Sequence, residues 1–128
     1  MIAGNDEAFE GPFTTRQLLR IDEALRAADR STGLTFSVYV GEIAEPVRKG
    51  AEELHAQLAR PATSVLIAVA PEQRQLEIVT GSVARRRLAE RDCKLAALSM
   101  AAAFGGGDLA GGIVSGLAQL VDHAGRAS

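Results

Sequence analysis

The chain has 128 residues, which is the length of one ordinary domain. Its composition, 47% hydrophobic and 23% charged, is typical of a soluble globular domain and excludes a wholly disordered chain. The net charge of −2 disfavours a nucleic-acid-binding domain, because such domains usually carry net positive charge. The single cysteine excludes an intrachain disulfide and a cysteine-rich zinc site.

The amino-terminal segment lacks the features of a targeting signal. It carries Asp6, Glu7 and Glu10 where a signal peptide has a basic start and an apolar run. No stretch of the chain reaches the roughly 18 apolar residues that a membrane span needs. We therefore expect a cytoplasmic protein without a direct membrane span. Residues 1–12 show no periodicity and predict a flexible arm, followed by a single domain over residues 13–125.

The first regular elements are a helix and a strand. Thr14 and Gln17 have the spacing of a capping box, and apolar residues at helical intervals then predict a helix over residues 15–31. Gly33 is a suitable helix stop. Strict alternation over residues 35–40 predicts a half-buried strand.

Two further strands follow a second helix. Pro46 suits the first turn of this helix, and Pro61 is expected to stop it. Residues 64–70 are apolar on both sides, which predicts a central strand covered on both faces. Residues 76–80 form another strand, and the short connection predicts an antiparallel hairpin. The strand–helix–strand order from residue 35 predicts a parallel crossover.

The last part of the chain predicts two helices. Ser82 is expected to cap a helix over residues 83–104, and residues 95–104 carry no charge, which predicts burial all round. The glycines at 105–107 break this helix, and Asp108 caps the last one. The predicted fold is a compact α/β/α sandwich with a mixed three- to four-stranded sheet and helices on both faces.

A run of basic residues is the first candidate binding site. It comprises Arg85, Arg86, Arg87, Arg91 and Lys94. The last three are spaced three and four residues apart, so the sequence predicts that they share a helical face. Arginine forks bind carboxylates and phosphates, which suggests a site for an anion or an acidic partner. The alternative is a solvated helix face whose positive charge is balanced by nearby acidic residues.

Three carboxylates are the candidate metal ligands. Glu42 and Glu45 follow the first long strand, near the carboxyl ends of the parallel strands where such sheets bind ligands. Asp108 begins the last helix. Calcium needs six to eight oxygen ligands, and no single loop supplies three carboxylates. Ordinary solvated acids are therefore the alternative.

Other chemistry-bearing residues have simple structural explanations. His55 and His123 lack the spacing of a metal site and are expected at the surface or its rim. Cys93 is predicted as a buried structural residue, with a reactive thiol as the alternative. The glycines at 105–107 are followed by Asp108, not by the lysine of a phosphate loop. We expect a tight turn there, with later glycines permitting close helix packing.

Several motifs together carry a family resemblance. They are the apolar strand within residues 65–72, a strand that ends at Gly81, and the phenylalanine, glycines and aspartate within residues 103–113. On these motifs, the segment 64–123 resembles the TPM domain. The helix and strand within residues 13–40 also match the start of that domain.

A closer resemblance is to an actinobacterial family of unknown function, domain-of-unknown-function family 5130. The motifs that carry it are PFTTR at 12–16, FSVYVG at 36–41, EIVTG at 77–81, RRRL at 85–88 and LSM at 98–100.

The TPM resemblance implies an α/β/α domain, and TPM-like domains include calcium-binding acid phosphatases and accessory domains of membrane complexes. Their proposed sites use acidic residues after the hairpin strand and within the long helix. Here no glutamate follows Gly81 at 82–84, and Ala97 and Leu98 stand where the helix pairs occur. Asp108 matches directly.

Our leading hypothesis is a non-catalytic binding or interaction module without a cofactor. Its basic helix face would meet an unidentified protein that is acidic or associated with a membrane complex. The alternative is a weak, divalent-metal-dependent acid phosphatase of the calcium type. It would hold Ca²⁺ with Asp108, Glu42 and Glu45.

Overall fold

Strands and helices alternate along most of the part of the chain that the computed structural model describes, residues 2–3 and 12–125. In chain order they are β1 (Ile2–Ala3), α1 (Thr15–Thr32), β2 (Thr35–Val40), α2 (Val47–Ala56), β3 (Ser64–Ala70), β4 (Gln75–Thr80), α3 (Glu90–Gly105) and α4 (Leu109–Ala124).

The four strands form one mixed sheet in the order β1-β2-β3-β4. The β2–β3 pair is parallel and the other pairs are antiparallel, which confirms the predicted crossover and hairpin. Strand β1 lies within the segment predicted as a flexible arm, with Ile2 opposite Tyr39. A two-residue strand is too short to show a period, so the sequence did not reveal it. Met1 and residues 4–11 of the predicted arm lie outside the described residues.

The start of α1 is stabilised by a capping box, as the sequence predicts. Thr14 Oγ1 accepts from the Gln17 amide at 3.1 Å, and Gln17 Oε1 accepts from the Thr14 amide at 2.9 Å. These bonds satisfy two amides that a helix start leaves without partners. The helix ends at Gly33, whose φ of +80° lies in the left-handed region that favours glycine.

The sheet lies between two layers of helices, which confirms the predicted sandwich with helices on both faces. Helices α1, α3 and α4 cover one face, and α2 covers the other. Strand β3 is buried along its whole length, as its apolar run predicts. Its side chains alternate between the layers: Val65, Ile67 and Val69 contribute to the larger core, whereas Leu66, Ala68 and Ala70 face α2.

Helix α2 is shorter than predicted and buries a histidine. It ends at Ala56, before Pro61, where the chain tightens as the Leu58 amide donates to the His55 carbonyl at 3.1 Å. The prediction that His55 lies at the surface is wrong. The residue is only 7% exposed, and its Nε2 lies 3.0 Å from the Ser64 carbonyl oxygen. This contact gives the buried imidazole a polar partner where β3 begins.

Helix α3 begins later than predicted. A short 3₁₀ turn over Ala84–Arg86 follows β4, and Ala89, not Ser82, precedes the first turn of α3. The Ala89 amide donates to Asp92 Oδ2 at 3.1 Å, and a carboxylate there complements the helix dipole. The arginines at 85–87 therefore do not oppose the dipole from within the helix.

The segment before α3 is held by contacts that the sequence does not display. The Val83 amide donates to the Ala62 carbonyl at 2.9 Å, and Leu88 is fully buried. The hydrogen bond ties the segment to the connection before β3, and Leu88 anchors it in the larger core.

The prediction that residues 95–104 are buried all round is wrong. One face of α3 is buried through Cys93, Ala96 and Met100, whereas Leu95 and Leu98 are 49% and 70% exposed. The helix packs on α4 and reaches the sheet with a single face, so its apolar outer side faces solvent within the described part of the chain.

Glycines allow α3 and α4 to approach closely, as predicted. A Cβ at Gly112 would lie 2.7 Å from Phe104 Cε1, and a Cβ at Gly116 would overlap Met100 Sδ. Of the helices in the described chain, none combines the length and apolar content needed to cross a membrane.

Candidate functional site: the groove along the free edge of β4

A groove of about 540 Å³ runs beside β4, which forms one edge of the sheet. Helix α2 contributes Arg48 to this groove, and the turn after β4 contributes Arg85. The other lining residues come from β4 and α3: Leu76, Glu77, Ile78, Thr80, Glu90, Cys93, Lys94 and Ala97.

Arg48 is held by three acceptors at the groove. Its Nε lies 3.1 Å from Glu52 Oε2, and its Nη1 lies 3.0 Å from Glu77 Oε1. The same Nη1 donates to the Ile78 carbonyl at 3.0 Å. Burial lowers the pKa of Arg48, but the hydrogen bonds and charges of Glu77 and Glu52 outweigh burial and raise it overall. The side chain is therefore a fixed cation.

Arg85 binds the next carbonyl along β4 that points away from the sheet. Its Nη2 donates to the Thr80 carbonyl at 2.9 Å. Ile78 and Thr80 are two residues apart, so their carbonyls lie on the same side of the strand, roughly 7 Å apart along it. Arg48 and Arg85 therefore hold guanidinium groups against two carbonyls at strand spacing, and both cover backbone acceptors that a sheet edge leaves open.

Lys94 adds a third cation with little restraint. Its Nζ lies 3.7 Å from Glu90 Oε1, and both side chains are largely exposed. Such a pair holds neither side chain firmly, because solvent screens it. Lys94 can therefore turn toward an incoming anion.

Cys93 lies at the base of the groove and is buried, as the structural prediction states. Burial raises the pKa of its thiol to about 11, and the charge of Asp92 adds to this effect. The thiolate is the nucleophilic form of cysteine. The Cys93 thiol therefore stays protonated at neutral pH, which disfavours the alternative of a reactive cysteine.

Arg87 does not share a helical face with Arg91 and Lys94, so that prediction is wrong. It precedes α3, and its guanidinium group donates to the carbonyls of Thr32 and Gly125 at 2.5 and 2.7 Å. Its role in the described chain is to tie helix ends together.

The remaining basic residues of the run are exposed. Arg86 lies in the turn after β4 and Arg91 in the first turn of α3. Neither forms an ion pair with another described residue. They add positive charge near the groove without lining it.

The predicted metal ligands are not brought together. Glu42 and Glu45 are exposed on the loop between β2 and α2, and Asp108 precedes α4. Asp108 Oδ1 accepts from the Gly111 amide at 2.9 Å, which confirms its role as a helix cap. Within residues 2–3 and 12–125, no three His, Cys, Asp or Glu side chains form a group that could hold a metal ion.

Sequence reasoning missed Arg48. Its i,i+4 spacing to Glu52 on a helix was the available signal, but that spacing predicts only a surface pair. The contacts to Glu77 and Ile78 span about thirty residues of sequence and depend on how α2 crosses the sheet.

A second cavity of about 480 Å³ lies between the β3–β4 turn and the α3–α4 turn. Phe104, Leu76 and Leu109 contribute to its walls, and Arg74 is its only cation among the described lining residues. It lacks converging charged groups, so the groove along β4 is the better candidate site.

This α/β/α fold is shared with solved structures. The BA42 protein from the psychrophilic bacterium Bizionia argentinensis matches with a TM-score of 0.80 at 20% identity, over 91% of this chain and 84% of that one. The N-terminal domain of the cg2496 protein from Corynebacterium glutamicum matches with a TM-score of 0.65 at 17% identity, over 86% and 72%. At these identities the likeness shows the fold alone.

The chain belongs to the family described as a domain of unknown function (DUF5130), which it matches over residues 2–121. It is also similar to the uncharacterised proteins Rv2468c and MT2543 from two strains of Mycobacterium tuberculosis. Each is 32% identical over 106 residues, which cover 83% of this chain and 64% of the relative. The chain therefore spans just under two thirds of the length of these curated relatives.

Proposed function

We propose that this chain is a non-catalytic binding module whose groove along β4 holds an extended acidic segment of a partner protein. The observation that carries the proposal is the placement of Arg48 and Arg85 on alternate outward carbonyls of the edge strand. The proposed binding surface is therefore an edge groove and not the predicted helix face, and it retains Arg85 and Lys94 from the predicted basic residues.

The spacing of the two guanidinium groups matches an extended peptide. Side chains at alternate positions of a strand point to the same side and lie roughly 7 Å apart. Two carboxylates separated by one residue would therefore reach Arg48 and Arg85 together. Each arginine has further N–H groups beyond those used within the described chain, and these can form charge-assisted hydrogen bonds.

The acids in the groove supply selectivity. Glu77 holds Arg48 in place, and Glu90 stands beside Lys94. A partner whose carboxylates are misplaced would meet these acids, and like-charge contact disfavours wrong partners. The groove therefore favours a particular spacing of negative charge over negative charge in general.

The TPM resemblance adds the metal-dependent phosphatase as an alternative. That activity would need Asp108, Glu42 and Glu45 to act on one ion. In the described chain these residues do not form a metal-binding group, and Asp108 already caps α4. The geometry therefore favours the binding module.

The test uses a fluorescent eight-residue peptide that alternates glutamate and threonine, with a glutamine–threonine peptide as the control. Fluorescence anisotropy should show binding of the acidic peptide that weakens with added NaCl, because salt screens exposed charges. Arg85→Glu should weaken binding at least tenfold. Arg20→Glu changes the charge equally on α1 and should leave binding unchanged.

Equal binding of the two peptides would overturn the acidic-segment proposal. So would equal binding by the Arg85→Glu and Arg20→Glu variants. Circular dichroism of both variants should match the unsubstituted protein, since both side chains are exposed.

A further inference from the structure

The outer face of α3 carries an apolar stripe that the described part of the chain leaves open. It comprises Leu95, Leu98, Ala101, Ala102 and Gly105, all exposed and spaced three or four residues apart. Residues at this spacing share one helical face. Leu98 is 70% exposed, which is the highest value among the large hydrophobic residues that the structure describes.

The stripe is flanked by opposite charge at its two ends. Arg91 is exposed at the amino-terminal end of α3 and forms no ion pair with another described residue, whereas Lys94 is paired with Glu90 at the groove. The carboxyl-terminal end carries the negative pole of the helix, and Asp108 is exposed just beyond it. The stripe therefore has a cation, Arg91, at one end and an exposed carboxylate, Asp108, at the other. Such a pattern is complementary to itself when two copies are aligned antiparallel.

We propose that a second copy of this chain covers the stripe, with the two α3 helices antiparallel about a two-fold axis midway between Leu98 and Ala101. A two-fold contact uses the same surface on both copies, so this surface must be complementary to itself in shape and charge. Here Leu98 of each copy packs against Ala101 and Ala102 of the other, a large residue against small ones. Arg91 of each copy approaches the turn of the other that carries Asp108.

The size of the stripe sets the strength of this contact. One helix face on each copy buries less than the roughly 1,600 Å² of a standard stable interface. The dimer is therefore weak and depends on protein concentration. The contact goes beyond the proposed binding function, because the stripe includes none of the α3 residues that line the groove along β4, which are Glu90, Cys93, Lys94 and Ala97.

Sedimentation velocity over roughly 5–500 µM protein tests the proposal. The unsubstituted protein should shift from monomer toward dimer as concentration rises. Leu98→Lys should remain monomeric over the same range. Leu19→Lys is the matched control, because Leu19 is a 66% exposed leucine on α1. It should self-associate like the unsubstituted protein.

A cross-linking experiment tests the antiparallel arrangement. Leu98→Cys and Arg91→Cys are each treated with a short bismaleimide linker at the highest concentration. An antiparallel pair about this axis places the two copies of Leu98 within one helical turn of each other and separates the two copies of Arg91. Cross-linked dimer should therefore form at least tenfold more with Leu98→Cys. The native Cys93 is buried and serves as the background in both variants.

A monomer at every concentration would overturn the proposal. Loss of association in the Leu19→Lys control would assign the contact to another surface and would also overturn it. Equal cross-linking by the two cysteine variants would contradict the antiparallel alignment. Circular dichroism and sedimentation of the Leu98→Lys variant together separate a lost contact from a lost fold.

Discussion

Arg87 shows how a side chain in a charge run can be structural. Its guanidinium group donates to the Thr32 carbonyl at 2.5 Å, the Ala124 carbonyl at 3.2 Å and the Gly125 carbonyl at 2.7 Å. Thr32 ends α1 and Ala124 ends α4, where carbonyls lack partners within the helix. A cation also interacts favourably with the negative pole of each helix. Arg87 therefore ties the ends of two helices together.

We predict that Arg87→Ala lowers the free energy of unfolding by about 2 kcal/mol, because hydrogen bonds to a charged donor are lost from several carbonyls. Arg87→Lys should recover less than half of this loss, since one ammonium group cannot reproduce the planar fork. Urea unfolding followed by circular dichroism measures both values. Arg86→Ala is the control, and this exposed neighbour should change stability by less than about 0.5 kcal/mol. Equal losses for the two alanine variants would contradict the structural role of Arg87.

At the scale of elements, the α3–α4 hairpin depends on close packing at glycine. Gly116 is buried on α4 against Met100 of α3, which is also buried. Glycine weakens a helix interior by roughly 1 kcal/mol relative to alanine. The close packing of the two helices that glycine permits offsets this cost. A methyl group at position 116 would overlap Met100.

We predict that Gly116→Ala lowers the free energy of unfolding by about 1–2 kcal/mol, despite the better helix propensity of alanine. Overpacking of a filled core typically costs roughly 1–3 kcal/mol and outweighs the propensity gain. Thermal and urea unfolding measure the change. Gly106→Ala is the control, since its Cβ would meet its nearest neighbour, the Ala103 carbonyl oxygen, at an ordinary 3.5 Å. A stabilised Gly116→Ala protein would show that Met100 moves aside at no cost.

At the scale of the whole molecule, the two layers beside the sheet are unequal. One layer contains three helices, and the other contains only α2, with ten residues. The core between α2 and the sheet has six buried residues in the described chain, and three of them, Ala51, Ala68 and Ala70, are alanines. Less apolar area is therefore buried there, and burial of apolar area is the main force that holds a helix on a sheet.

We predict that amide hydrogens of α2 exchange with solvent through openings of lower free energy than those of α1 and α4. Local opening follows the amount of buried apolar contact, so the thin layer should open first. Native-state hydrogen exchange measured by NMR at several urea concentrations resolves the two classes of opening. Identical opening free energies for all helices would show that the sandwich opens as one unit.

Much of the fold could be predicted from the chain because the relevant signals are local. These signals involve residues at most four apart: the capping box of Thr14 and Gln17, the left-handed turn at Gly33 and the cap at Asp108. The alternation of β2 and the apolar run of β3 report directly which faces are buried. The candidate site was predicted only in part, because Lys94 and Arg85 belonged to a recognisable basic run, whereas Arg48 did not.

The amino-acid pattern thus specified the helices and the three longer strands, their order and the α/β/α layering, because periodicity and capping act over a few residues. The packed chain decided which arginine meets a carbonyl, why α3 begins at Glu90 and which side of α3 faces solvent. Those outcomes depend on contacts between residues far apart in sequence, such as Arg87 with Thr32 and Arg48 with Ile78. A side chain's charge restricts its possible partners, and only the geometry of the packed elements selects among them.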